Sequence, residues 1–226
     1  MPLDLLPRLL YRDAMMLVID KPAGIPVHKG SGGGENLEQH FEQLCFGLPR
    51  IPALAHRLDK DTSGCLVLGR HRQALATLGK LFEHNKIEKT YWAIVGGIPK
   101  DPVGTINFPL AKKTTKSHHW HMKVDPKNGA PSLTEYRLLG HTDTMSWLAL
   151  KPRTGRTHQL RVHCAAIGCP IMGDGIYGTA SNVSLHLHAE SLRIPFYPKK
   201  APIEVSAPPP EHMLEALIAC GYQSKI

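Results

Sequence analysis

No apolar run in this chain approaches the roughly 20 residues a membrane-spanning helix needs; the longest lies around Met15 to Ile19. The opening Met1-Pro2-Leu3-Asp4 lacks the basic region and long apolar stretch of a secretory leader, so none is expected. Cysteine is scarce and odd in number, five at irregular spacings with no CxxC, which argues against a disulfide framework and for a reducing cytoplasm. Gly30-Ser31-Gly32-Gly33-Gly34 is not followed by Gly-Lys-Ser/Thr, so it is read as a hinge or surface loop and not as a nucleotide-phosphate loop. Acidic residues are in deficit, 19 against 27 Lys and Arg, giving a net charge of +8 and favouring a polyanionic partner, nucleic acid above all. At 226 residues and 42% hydrophobic, the chain can bury a real core as one globular domain or two tightly fused lobes, and a single domain, 1–226, is expected.

The positive charge is concentrated. No acid lies between Asp143 and Asp174, where Lys151, Arg153, Arg156 and Arg161 accompany His158 and His163. A second cationic stretch from Lys112 to Lys127 is broken only by Asp125. Histidine is abundant, but metal spacing is poor. His186 and His188 share a strand face and His118, His119 and His121 cluster, yet neither group has an evident third ligand, and His158 and His163 are five apart. No metal is expected.

Hydrophobic patterning predicts strands over 15–19, 64–68, 91–95, 105–108, 133–139, 146–150, 184–192 and 203–206. It predicts helices around Leu37–Leu48, Leu75–Phe82, Leu160–Ile167 and Met213–Ile218. Strands outnumber helices and do not alternate with them, so an α+β fold with a mixed, largely antiparallel sheet is expected.

Two segments carry chemistry. His56-Arg57-Leu58-Asp59-Lys60-Asp61-Thr62-Ser63-Gly64 puts two carboxylates, a guanidinium and two hydroxyls on a loop before an apolar strand. Lys151 to His163 places cations near a helix N-terminus, where backbone N–H groups also favour anions. The first segment resembles the RLD motif of the RluA family of pseudouridine synthases. The likeness continues through Ile19–Gly24, Lys89-Thr90-Tyr91, Lys151–His163, Gly173-Asp174 and Leu185–Glu190, in family order and over nearly the whole chain.

The resemblance implies an isomerase that turns uridine into pseudouridine in RNA, tRNA or large-subunit rRNA, without metal or cofactor. It implies a sheet of two abutting halves with flanking helices and a central cleft. Asp59 would be the catalytic aspartate, Tyr91 the residue that stacks on the base and serves in removing the C5 proton, and Arg161 the partner of Asp59. Arg57 would fill the space of the flipped nucleotide; His56, Lys112, Lys113, Arg156 and His158 would contact RNA. Only 55 residues precede His56, so no separate S4 RNA-binding domain is expected, and the protein is expected to be monomeric. The residue types suit the chemistry: a carboxylate can attack C1′ or C6 or stabilise a cationic sugar. An adjacent arginine opposes the desolvation that would neutralise it, and an aromatic face offsets the cost of flipping. A non-catalytic RNA-binding protein of the same fold would be favoured only if Asp59, Arg161 or Tyr91 were missing.

Overall fold

A computed structural model describes residues 3–29, 33–114, 120–179 and 182–223. In chain order the strands and α-helices are β1 (Leu9–Arg12), β2 (Met16–Lys21), β3 (Ala53–Leu54), β4 (Ser63–Gly69), α1 (Arg72–Glu83), β5 (Glu88–Gly96), β6 (Val103–Ile106), β7 (Leu110–Thr114) and β8 (Trp120–Val124). There follow β9 (Thr134–His141), β10 (Met145–Pro152), α2 (Gln159–Ala166), β11 (Leu187–Ile194), β12 (Ile203–Ser206) and α3 (Glu211–Ala219). The fold is α+β, and the chain forms two compact units, Met1–Lys89 with Ala189–Pro210, and Thr90–His188 with Glu211–Ile226.

In the first unit β1, β2, β4 and β11 follow one another in the sheet, with β3 paired to β4 and β12 to β11. Met16 to Ile19 and all seven residues of β4 are buried, which is why these strands read as unbroken apolar runs instead of alternating ones. Met16, Val18, Cys65 and Val67 pack with Ala74 and Leu78 of α1 and with Leu192, Ile194 and Val205. His71 caps α1 by accepting a hydrogen bond from the Ala74 N–H at 3.3 Å. The segment Leu37–Leu44 buries Leu37, Phe41 and Leu44 at the expected spacing, but as a 3-10 helix closed by an Asn36/Gln39 capping box. It stops before Leu48, because Phe46 and Gly47 turn the chain with φ of 47° and 79°.

In the second unit β5, β10, β9 and β6 form an antiparallel sheet. Its two faces follow the alternation of β5. Tyr91, Ala93 and Val95 join Leu148, Leu150, Leu160 and Cys164 on the α2 side, while Trp92 and Ile94 join Trp147, Met213 and Leu217 on the α3 side. β7 and β8 make a separate two-stranded ribbon within the stretch read only as cationic. The predicted 105–108 strand ends earlier, at Ile106, because the Phe108 carbonyl turns to accept from His163 at 3.1 Å. Likewise β11 begins only at Leu187, since the His186 N–H bonds the Met172 carbonyl at 2.9 Å.

One glycine is required where β4 begins. Gly64 has φ 105°, and a Cβ there would collide with the carbonyl oxygen of Ala189 and sit 2.8 Å from its nitrogen and carbonyl carbon. Gly64→Ala is therefore expected to cost about 2–5 kcal/mol. Gly79→Ala in α1, where a Cβ meets nothing within 4 Å, should stabilise by about 0.5–1 kcal/mol. Urea melts of the two variants beside wild type check both signs.

Candidate functional site

The Asp59 loop is fastened within the first unit by two side chains, a buried lysine and a half-buried histidine. Lys21, fully buried at the end of β2, turns its ammonium into the loop and donates to the carbonyls of Pro22 and Lys60 at 2.8 Å and of Thr62 at 2.9 Å. Burial pulls Lys21 down to about 8, while the carboxylates of Asp61, Asp59 and Asp20 work against that fall. The backbone adds a Gly24 N–H bond to the Lys60 carbonyl at 3.0 Å and a Thr62 N–H bond to the Asp59 carbonyl at 3.2 Å. The Lys21-Pro22-Ala23-Gly24 turn and the Asp59 turn are thus one hydrogen-bonded body.

His56 is the second fastening. Its Nε2 accepts from the Val67 N–H at 3.0 Å and its ring stacks on Phe82 at 4.4 Å. Burial, helped by the charge of Lys89 and opposed by a hydrogen bond to the Arg57 backbone, pushes His56 down to about 3. A neutral, internally bonded ring of this kind holds the backbone beside Arg57 in place. Arg57 and Lys60 are exposed, Leu58 is buried, and Asp59 is half-buried.

Tyr91 and Arg161 belong to the second unit. Tyr91 sits opposite Leu150 in the β5–β10 ladder, on the face that packs against α2. Arg161, 6% exposed, makes a two-pronged pair with Asp174, Nε and one terminal nitrogen each 2.7 Å from a carboxylate oxygen. Burial alone would raise the Asp174 carboxyl. The hydrogen bonds and charge of Arg161, with the backbone N–H groups of Ile176 and Tyr177, outweigh it and hold Asp174 below its ordinary value. Arg161 also lies over the Tyr177 ring at 5.2 Å. Asp174 fixes the plane of this guanidinium, a role that its sequence separation of 13 hides.

The turn before α2 is pinned from inside by Gln159. Its side-chain oxygen accepts from Thr154 Oγ1 at 2.7 Å and the Arg156 N–H at 3.0 Å, and its amide donates to the Leu133 carbonyl and Thr134 Oγ1 at 3.0 Å. Thr134 in turn donates to His163 Nδ1 at 2.9 Å, leaving Nε2–H for the Phe108 carbonyl. His158 enters α2 with φ 52°, and its Nδ1 meets the Tyr177 hydroxyl at 2.8 Å. Arg156, Lys112 and Lys113 are exposed. His118 and His119 lie outside the described residues, as do Gly30 to Gly32 of the glycine loop. His186 has its Nδ1 on the Ser184 carbonyl at 2.8 Å. Among the described residues no group of three His, Cys, Asp or Glu is placed to hold a metal, and no helix is long and apolar enough to cross a membrane. A groove of about 670 Å³ in the second unit, lined by Trp92, Thr105, Arg137 and Lys151, opens on the sheet face opposite Tyr91 and is separate from these residues.

Residues 15–166 match the family model described as RNA pseudouridylate synthase. An uncharacterised RNA pseudouridine synthase of Zymomonas mobilis is 43% identical over 90% of this chain and 94% of its own length. The ribosomal large subunit pseudouridine synthase C of Buchnera aphidicola is 39% identical over 77% of this chain, which spans 55% of that protein. Human RNA pseudouridylate synthase domain containing 4 superposes with a TM-score of 0.80 at 25% identity, over 96% of this chain and 94% of that one. The chain belongs to the RNA pseudouridylate synthase family. Within it the chain is of the RluA type, an isomerase of the class that converts uridine to pseudouridine in RNA.

Two expectations follow from the fastenings. Lys21→Met leaves three carbonyls without their donor and should cost about 2–5 kcal/mol. Tryptic cleavage after Arg57 or Lys60, slow in wild type, should become fast. For His56 the folded value lies below the ordinary 6.5, so the unfolded chain binds the proton first; its contribution is present above 6.5 and is lost as pH falls toward 3. His163 and His186 are also lowered by burial and act in the same direction. Wild-type urea midpoints should therefore drop between pH 6.5 and 4, and His56→Gln should show a shallower drop.

Proposed function

We propose that this chain isomerises specific uridines in structured RNA, tRNA or large-subunit rRNA, with Asp59 as the catalytic carboxylate and the whole chain acting as one catalytic domain in the cytoplasm. The observation that carries the reading is the build of the Asp59 loop. A half-buried carboxylate is held on a turn made rigid by a buried ammonium and a neutral histidine, as preorganised catalysis requires. The family match supplies the reaction class, and the Buchnera relative, named for the large ribosomal subunit, supports rRNA among the substrates.

In the proposed reaction the N1–C1′ bond breaks, the detached base turns, C5 bonds to C1′, and the C5 proton passes to solvent while N1 gains one. Electrons balance without a redox partner. Asp59 attacks C1′ or C6, or stabilises the cationic sugar. Tyr91 stacks on the flipped base and takes part in removing the C5 proton. Arg161, its plane fixed by Asp174, pairs with Asp59, and Arg57 enters the gap left by the nucleotide. Exposed Lys112, Lys113 and Arg156, with His158, hold phosphates.

The test is tritium release from tRNA and rRNA transcribed with 5-tritiated uridine, with EDTA present. Wild type is expected to release tritium from at least one pool. Asp59→Ala should lose turnover by at least about 10³-fold while binding the same RNA within a few-fold. Turnover that survives in Asp59→Ala removes this carboxylate from the chemistry; tight binding by wild type with no release from any pool favours the non-catalytic reading.

A further inference from the structure

Trp120, the first residue of β8, lies opposite Thr114 in the ribbon and is 44% exposed. The ribbon is too thin to bury an indole by itself. Alternation puts Trp120 on the same side as Met122 and, through the Lys112–Met122 pairing, as Lys112. The Lys112 ammonium lies 4.7 Å from the indole centre. The His158 ring lies 5.5 Å away and tilted by only 23°, so the two rings are stacked.

This stack is anchored. The Tyr177 hydroxyl accepts from the Met122 N–H at 2.9 Å and meets His158 Nδ1 at 2.8 Å, joining the ribbon and the α2 entrance through one oxygen. The Tyr177 ring in turn lies under Arg161. A half-exposed indole is thereby held at fixed orientation, with Lys112 beside it. An aromatic surface flanked by cations is the chemistry that receives an unpaired nucleotide: the base stacks on the ring and the phosphates meet the ammonium groups.

We propose that Trp120 is a base-stacking platform for an unpaired nucleotide flanking the target uridine, with His158 orienting the indole and Lys112 taking the adjacent phosphate. The proposal rests on the reading of RNA as the substrate and adds to it a residue that sets the register of the strand.

The experiment uses the full chain carrying Asp59→Ala, so that binding is read without turnover, with a large-subunit rRNA transcript and a tRNA pool as probes. Trp120→Ala should weaken binding of the preferred probe by about 5- to 100-fold, and Trp120→Phe, which keeps an aromatic face, by no more than about 3-fold. RNA should quench tryptophan fluorescence, and the quench should vanish in Trp120→Phe. Trp92 and Trp147, which pack edge-on against each other and Tyr222, remain as the unquenched background. Equal melting temperatures for the Ala and Phe variants separate a lost platform from a collapsed ribbon. Equal affinity of the Ala and Phe variants, or a quench that persists without Trp120, overturns the proposal. Tritium release by wild type together with unchanged kcat/KM in Trp120→Ala would sink the platform and leave the isomerase standing. A Trp120-dependent quench without release from any RNA would do the reverse.

Discussion

A charge with no water around it is the constraint on which the first unit is arranged. Moving an ammonium out of water carries a penalty of several kcal/mol, and it survives in a protein only where other groups replace its hydration. Lys21 finds three carbonyl oxygens, those of Pro22, Lys60 and Thr62, two of them from the loop that bears Asp59. The loop cannot relax without stranding the charge, and the charge cannot be buried without the loop. Lys21 is lowered to about 8, so near neutrality it remains mostly a cation facing Asp20, Asp59 and Asp61. The ordering of the candidate catalytic turn is thus a consequence of burying a lysine at the end of β2. Gly64 closes the same turn by letting β4 start against the Ala189 backbone.

Much of this was legible in the sequence where burial is two-sided or strictly alternating. Met16 to Ile19 and β4 read as strands because both faces are covered, and the side taken by Tyr91 followed from its alternation with Trp92. The β7–β8 ribbon was not legible. With Lys112, Lys113, His121 and Lys123 on strands open to solvent, it carries a charge pattern but no hydrophobic one. The long 37–48 helix failed for a local reason, the positive φ of Phe46 and Gly47, which apolar spacing does not register.

The candidate site residues were visible in the sequence as motifs, but their supports were not. Asp59, Tyr91 and Arg161 stand in motifs, whereas the groups that hold their neighbourhoods act across distance in sequence. Lys21 reaches Lys60 and Thr62 over 39 and 41 residues, and Gln159 reaches Leu133 over 26. The support that His56 gives was hidden in the same way. Its neighbour Arg57 suggests a polar, RNA-facing loop, but the partner that decides its state is the N–H of Val67, eleven residues on in the next strand.

The histidines make the division of labour plain. A chain with 14 of them invites an acid–base mechanism built on imidazole. Yet burial lowers His56, His163 and His186, and each ring is engaged with backbone or threonine partners. Such rings are neutral connectors near pH 7, held by bonds inside the fold, and they stiffen the loops without titrating there. His158, half-buried between Trp120 and Tyr177, is placed differently: it stacks on an exposed indole and faces a hydroxyl, so its orientation is set while its neighbourhood stays open to a ligand. In the proposed reading the permanent charges of lysine and arginine meet phosphate, and the chemistry falls to groups that need no imidazole: a carboxylate, a phenol and a guanidinium.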